Sequence, residues 1–105
     1  MKAGSSDPRV SYELLEEALR RRLARIDEVL EDLRRQGLNP DAVLDSVHRD
    51  PEVASLWRTI DSNILERSAE GNVDLDEALT WLDNLDRWTR AVIQRLRQSA
   101  TKQSK

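Results

Sequence analysis

The sequence predicts an all-α fold, and three observations predict it. Each of the three prolines follows an Asp or Asn: Asp7-Pro8, Asn39-Pro40 and Asp50-Pro51. Such pairs open helices, because the short polar side chain caps free backbone N–H groups and proline fits the first helical position. Two of the three glycines, Gly37 and Gly71, follow long helical patterns where a left-handed residue ends a helix. Between these marks, apolar residues recur at helical spacing in four segments.

The first predicted helix begins at Pro8 or, with Ser11 as cap, at Tyr12, and runs to about Gln36. One stripe on it collects Tyr12, Leu15, Ala18, Leu19, Leu23, Val29, Leu30 and Leu33 around Ile26. Its outer face alternates acidic and basic groups, with Glu16–Arg20, Glu17–Arg21 and Glu31–Arg35 as i,i+4 pairs in the favoured orientation. Gly37-Leu38-Asn39-Pro40 is a stop and a restart. The second helix is short, from Pro40 to about Arg49, with Val43, Leu44 and Val47 to bury. The third is predicted from Pro51 to about Glu70, with Val53, Leu56, Trp57, Ile60 and Ile64 inward.

The fourth opens on Asp74-Leu75-Asp76-Glu77, an Asp version of the capping box, and runs to about Gln98. Its apolar side covers half a cylinder: Leu75, Ala78, Trp81, Leu82, Leu85, Trp88, Val92, Ile93 and Leu96. A stripe that wide needs two neighbours. The expected architecture is a small up-down bundle of three long helices plus one short crossover helix. Residues 7–99 form its single domain, between disordered tails at 1–6 and 100–105.

Composition narrows the function by exclusion. The 105 residues suit one core, and 38% hydrophobic with 35% charged residues suits helices with one buried face. The net charge of −3 is not concentrated in any block that reads as a nucleic-acid or lipid tail. Without cysteine there are no disulfides, thiolate metal sites or thiol nucleophiles. No apolar run could span a membrane and no signal-peptide core is present, so a cytoplasmic protein is expected.

Four polar residues fall in or beside the apolar stripes. Arg22 lies between Leu15 and Val29, Arg67 continues the third helix's stripe into its last turn, Asn63 sits at that stripe's edge, and Thr89 lies within the fourth helix's apolar side. A buried guanidinium must be paired, so Arg22 implies a carboxylate, a carbonyl cluster or an anionic ligand facing it. Alternatively, its methylenes lie on the core while its head reaches water, or it pairs with an acid across a dimer seam. The four define a candidate polar core.

Trp57, Trp81 and Trp88 supply nearly all the aromatic content. Trp81 and Trp88 share one edge of the fourth helix's stripe, where a tryptophan is either a core lid or a partner anchor. Trp81, Leu85, Trp88 and Val92 are therefore the candidate partner-binding set.

The segment Glu66–Glu77 spans twelve residues between two helices, and its second half, GNVDLDE, resembles an EF-hand calcium loop. Gly71 falls at the turn glycine, Val73 at the apolar position, Asp74 at the ninth and Glu77 at the bidentate twelfth. Glu66, Ser68 and Glu70 depart from the pattern at positions one, three and five. A glycine stop followed by a capping box explains the same residues.

Other motifs point away from chemistry. His48 is the only histidine, placed near a helix C-terminus where its cation suits the dipole. LRRRLARIDEVLEDL is similar to the first helix of all-helical chorismate mutases. That resemblance implies catalytic cations that include a core lysine, and no lysine stands between residues 3 and 101. The second and third helices suggest a helix-turn-helix, but the would-be recognition helix starts Pro51-Glu52-Val53-Ala54, which phosphate repels.

The expectation is a non-catalytic protein–protein interaction module, such as an adaptor, chaperone-like subunit or regulator, with a protein partner or a homodimer. No cofactor, metal or small-molecule substrate is implied. Two alternatives remain: a degenerate EF-hand-like calcium module through residues 66–77, and a nucleic-acid-binding regulator whose dimer unites Arg20, Arg21 and Arg25.

Overall fold

A computed structural model describes residues 10–103; the expected tail at residues 1–6, the Asp7-Pro8 helix start and the last two residues lie outside it. The described chain is all-α: α1 (Tyr12–Arg35), α2 (Pro40–His48), α3 (Pro51–Arg58), α4 (Ile64–Ala69) and α5 (Leu75–Gln103). Ser11 starts α1, its Oγ accepting from the Leu14 N–H at 3.3 Å. The Asn39 carboxamide caps α2 and the Asp50 carboxylate caps α3, each followed by its proline.

Both predicted glycine stops are left-handed, Gly37 at φ +86° and Gly71 at φ +76°. Around each, two backbone bonds close the helix. Gly37 donates to Arg34 C=O and Leu38 to Leu33 C=O; Gly71 donates to Ser68 C=O and Asn72 to Arg67 C=O. This is the Schellman pattern, which satisfies carbonyls that a helix end would leave bare.

The expected third long helix is two short ones. α3 ends at Thr59, whose hydroxyl donates back to Leu56 C=O at 2.6 Å, and the Asp61 carboxylate accepts from the Asn63 N–H at 2.9 Å. Thr, Asp, Ser and Asn all offer the backbone local hydrogen bonds that compete with the helix ladder. Thr59-Ile60-Asp61-Ser62-Asn63 gathers four of them in five positions. The fold thus has two long helices, not three, with α2, α3 and α4 as the return path.

α5 also departs from expectation at both ends. It continues through Gln103, so residues 100–103 are helix rather than tail. At its start, Asp74 caps by accepting from the Glu77 N–H at 2.8 Å. Glu77, however, turns its carboxylate to Arg67 at 2.8 Å. Only half the capping box forms.

α1 and α5 lie side by side and parallel. The Val10 N–H donates to Val73 C=O at 3.1 Å just before each begins, and further along both helices Arg22 meets Asp86. Between them and the return path lies one core. Leu15, Ile26, Val29 and Leu33 of α1 meet Val43, Val47, Val53 and Ile64 of the return path and the inner face of α5. Three ion-paired arginines tie elements together around this core: Arg22, Arg67 and Arg95.

Candidate functional site

The elbow between α2 and α3 builds a groove of about 510 Å³ against α5. His48 closes α2. Val53, Ala54, Trp57 and Arg58 come from α3, and Trp88 from α5. Residues three and four apart share a helix face, so Ala54 stands beside Trp57 and Arg58. Its small side chain leaves open the space that the larger ones enclose.

The rings form a continuous aromatic surface. Trp57 and Trp88 have centroids 4.8 Å apart at an interplanar angle of 49°. His48 lies nearly parallel to Trp88, at 11° and a centroid distance of 6.3 Å. Trp88 is only 5% exposed and forms the floor, whereas Trp57 is 52% exposed and stands at the rim. This overturns the expectation that Trp57 points inward. It sits in the last turn of an eight-residue helix, where the chain breaks before a following turn could cover it.

The candidate partner-binding set lies in the interior. Trp81 is 4% exposed, Leu85 and Val92 are 0%, and Trp88 is 5%. All four belong to the core, and Trp81 and Trp88 each also line a groove, so the expected edge is nearly covered rather than openly exposed. The indole Nε1 groups of Trp81 and Trp88 are both buried without a hydrogen-bond partner among the described residues. The core therefore tolerates two unpaired donors in exchange for large apolar volume.

The candidate polar core resolves into separate contacts rather than one pocket. Arg22 is half-buried, its Nε donating to Asp86 Oδ1 at 2.6 Å and its Nη1 to Ala18 C=O at 2.8 Å. The carboxylate that its position demands is thus on α5. Thr89 is buried and donates to Leu85 C=O at 2.8 Å. Asn63 is exposed at the start of α4, outside the core.

Arg67 is clamped by Glu77 at 2.8 Å and Asp61 at 2.5 Å. These bonds, Glu77 first, raise its already high pKa. Asp61 is held below its ordinary value by the Asn63 N–H first and Arg67 second. Arg67 lines a second groove, of about 360 Å³, with Asp61, Glu77, Trp81 and Asn84. Its charge is already balanced there.

The same clamp occupies the calcium-like loop. Glu77, which would supply the bidentate ligand, binds a guanidinium, and Asp74 caps α5. Among the described residues no group of three or more acidic or histidine side chains is arranged to hold a metal ion. The candidate nucleic-acid surface is likewise internally matched at Arg20, paired with Glu16, and at Arg21, paired with Glu17.

No helix among the described residues is long and apolar enough to cross a membrane. Comparison with protein-family models, with curated proteins and with solved structures finds no match to this chain.

Proposed function

We propose that this chain is a non-catalytic protein–protein interaction module that docks its partner at the Trp57 groove. The observation that carries the reading is the exposure of Trp57. In a small chain with few large side chains to fill its core, one of three tryptophans is left at the rim of a groove floored by another. Exposed indole beside an apolar recess is the usual composition of an interface anchor. The groove lining holds one imidazole and one guanidinium, with no carboxylate or hydroxyl beside them. It offers an apolar side chain somewhere to go, and offers a substrate no general acid–base pair.

A homodimer seam through Trp81, Leu85, Trp88 and Val92 would require opening the core, so the partner we assign is a different protein. The test is site-specific crosslinking with a photoreactive residue in place of Trp57, in the host cell. A control carries the same group at Asp27, on the exposed side of α1. A discrete protein adduct from position 57 and none from position 27 is expected. Equal or absent adducts at both positions would overturn the reading.

A further inference from the structure

We infer that the Trp57 groove receives an acidic protein segment carrying a bulky apolar anchor, an assignment that rests on the docking reading above. The chain as a whole is acidic, with 20 Asp and Glu against 17 Lys and Arg, yet no carboxylate lines this groove. Its charged side chain is Arg58, and the imidazole of His48 stands on the same lining.

Like the exposed Arg25 and Arg90, Arg58 is held in no ion pair among the described residues, but it is the one of the three that lines the groove, whereas the arginines that join elements around the core are matched. Arg22 is matched by Asp86, Arg67 by Asp61 and Glu77, Arg95 by Asp50 and Glu52, and nearby Arg49 by Asp45. No ion pair or hydrogen bond engages the Arg58 side chain among the described residues. A guanidinium at the rim of an apolar recess, without a carboxylate of its own, recognises one on a partner. A basic segment would meet repulsion there. A neutral one would leave the guanidinium unmatched, and partly desolvated once the groove is covered.

The apolar half of the specificity follows from shape. Ala54 opens the recess between Val53 and Trp57, and the volume of about 510 Å³ suits one or two large side chains rather than a whole helix. The second groove makes the contrast. Its arginine is neutralised by two acids that line the same wall, so it has no unmatched cation for an acidic partner.

The test is selection from a phage-displayed library of random short peptides against the full chain, followed by titration of the winners against variants. The expected winners combine one large apolar residue with acidic neighbours, and lose affinity on the order of tenfold against Arg58→Gln and against Trp57→Ser. Circular dichroism of both variants is expected to match that of the unsubstituted chain. Neutral or basic winners that still depend on Trp57 would overturn the charge inference and leave the docking reading standing. Winners indifferent to both variants, or no enrichment at all, would overturn both. Winners that reproduce a stretch of this chain, with a dimer lost in Trp57→Ser on sedimentation, would replace the foreign partner by a second copy.

Discussion

Arg95 donates from Nε to Asp50 Oδ2 at 3.0 Å, while the other oxygen of that carboxylate caps α3. One side chain thus starts a helix and fastens the α2–α3 elbow to α5. The groove depends on this arrangement, because His48, Trp57 and Arg58 all belong to the elbow and Trp88 to α5. Arg95 reaches Glu52 in the first turn of α3 as well, so the fastening is a small network rather than a single pair.

That network sets a pH response. The Arg95 hydrogen bond above all, helped by the Glu52 and Val53 N–H groups, holds the Asp50 carboxyl below its ordinary range. A folded-state value below the unfolded one means the native state binds fewer protons. The stabilisation is complete above the unfolded value of about 3.9 and is lost as pH falls through the depressed folded value. Asp61 adds to the same window. Thermal melts should be nearly flat between neutral pH and about pH 5, then fall steeply. Asp50→Asn keeps a good cap but not the charge, so its melting temperature should be lower at neutral pH and less sensitive to acid.

The glycine stops give a cleaner backbone test. A Cβ built on Gly37 meets nothing within 4 Å, so Gly37→Ala carries only the cost of left-handed geometry, about 1–2 kcal/mol. Gly37→Asn should cost less, because asparagine tolerates that region. Urea unfolding of the two variants measures the difference. Equal losses would mean that space, not φ, governs the position.

Much of the fold was legible because it is written in caps and stops. Ser11, Asn39, Asp50, Gly37 and Gly71 act locally, so their roles survive without knowledge of the tertiary structure. The break at Thr59–Asn63 was also written locally, in four residues that compete with the helix ladder. The apolar stripe of Val53, Leu56, Ile60 and Ile64 points the other way, toward one continuous helix. The groove was legible only as a choice of residues. All three tryptophans stood out, but which one reaches the surface depends on where α3 ends and what α5 packs against. A wheel drawn through an unbroken helix cannot hold that information. The place of Asn63, exposed at the start of α4, depends on the same break.

Calcium should leave this protein unchanged. Binding at Glu66–Glu77 would have to displace Arg67 from Glu77 and release Asp74 from the start of α5. Both losses count against an affinity already weakened by Glu66 at the first position. Isothermal titration is expected to show no heat in the micromolar range, and melts with calcium or chelator should coincide. A calcium-dependent rise in melting temperature that disappears in Glu77→Gln would reverse this conclusion.

Arg22 and Asp86 separate the worth of an ion pair from the cost of breaking it. Both are partly exposed, at 20% and 35% of their side chains, so the stranded partner can still hydrate. Arg22→Leu should lose about 1 kcal/mol, less than for a fully buried pair. The double change Arg22→Leu with Asp86→Leu should recover most of that loss, since apolar packing replaces two desolvated charges. A double-mutant cycle by urea unfolding checks it, and additive losses would show that the two side chains act independently.

The three tryptophans should behave as two classes, and their mutations should fail in different ways. Trp57 is half-exposed while Trp81 and Trp88 are interior, so acrylamide should quench one accessible component, and Trp57→Phe should abolish most of it. Trp88→Ala removes a side chain packed against Trp57 and the core, which costs about 3–5 kcal/mol. Trp88→Glu adds a charge to that space and should abolish cooperative unfolding. Trp57→Ser, by contrast, should lose about 1 kcal/mol, because half of the indole is already in water. Its signature is lost partner binding with the helix content intact. If Trp57→Ser unfolds the chain while Trp88→Glu leaves it folded, the assignment of floor and rim is inverted, and the docking surface must lie elsewhere.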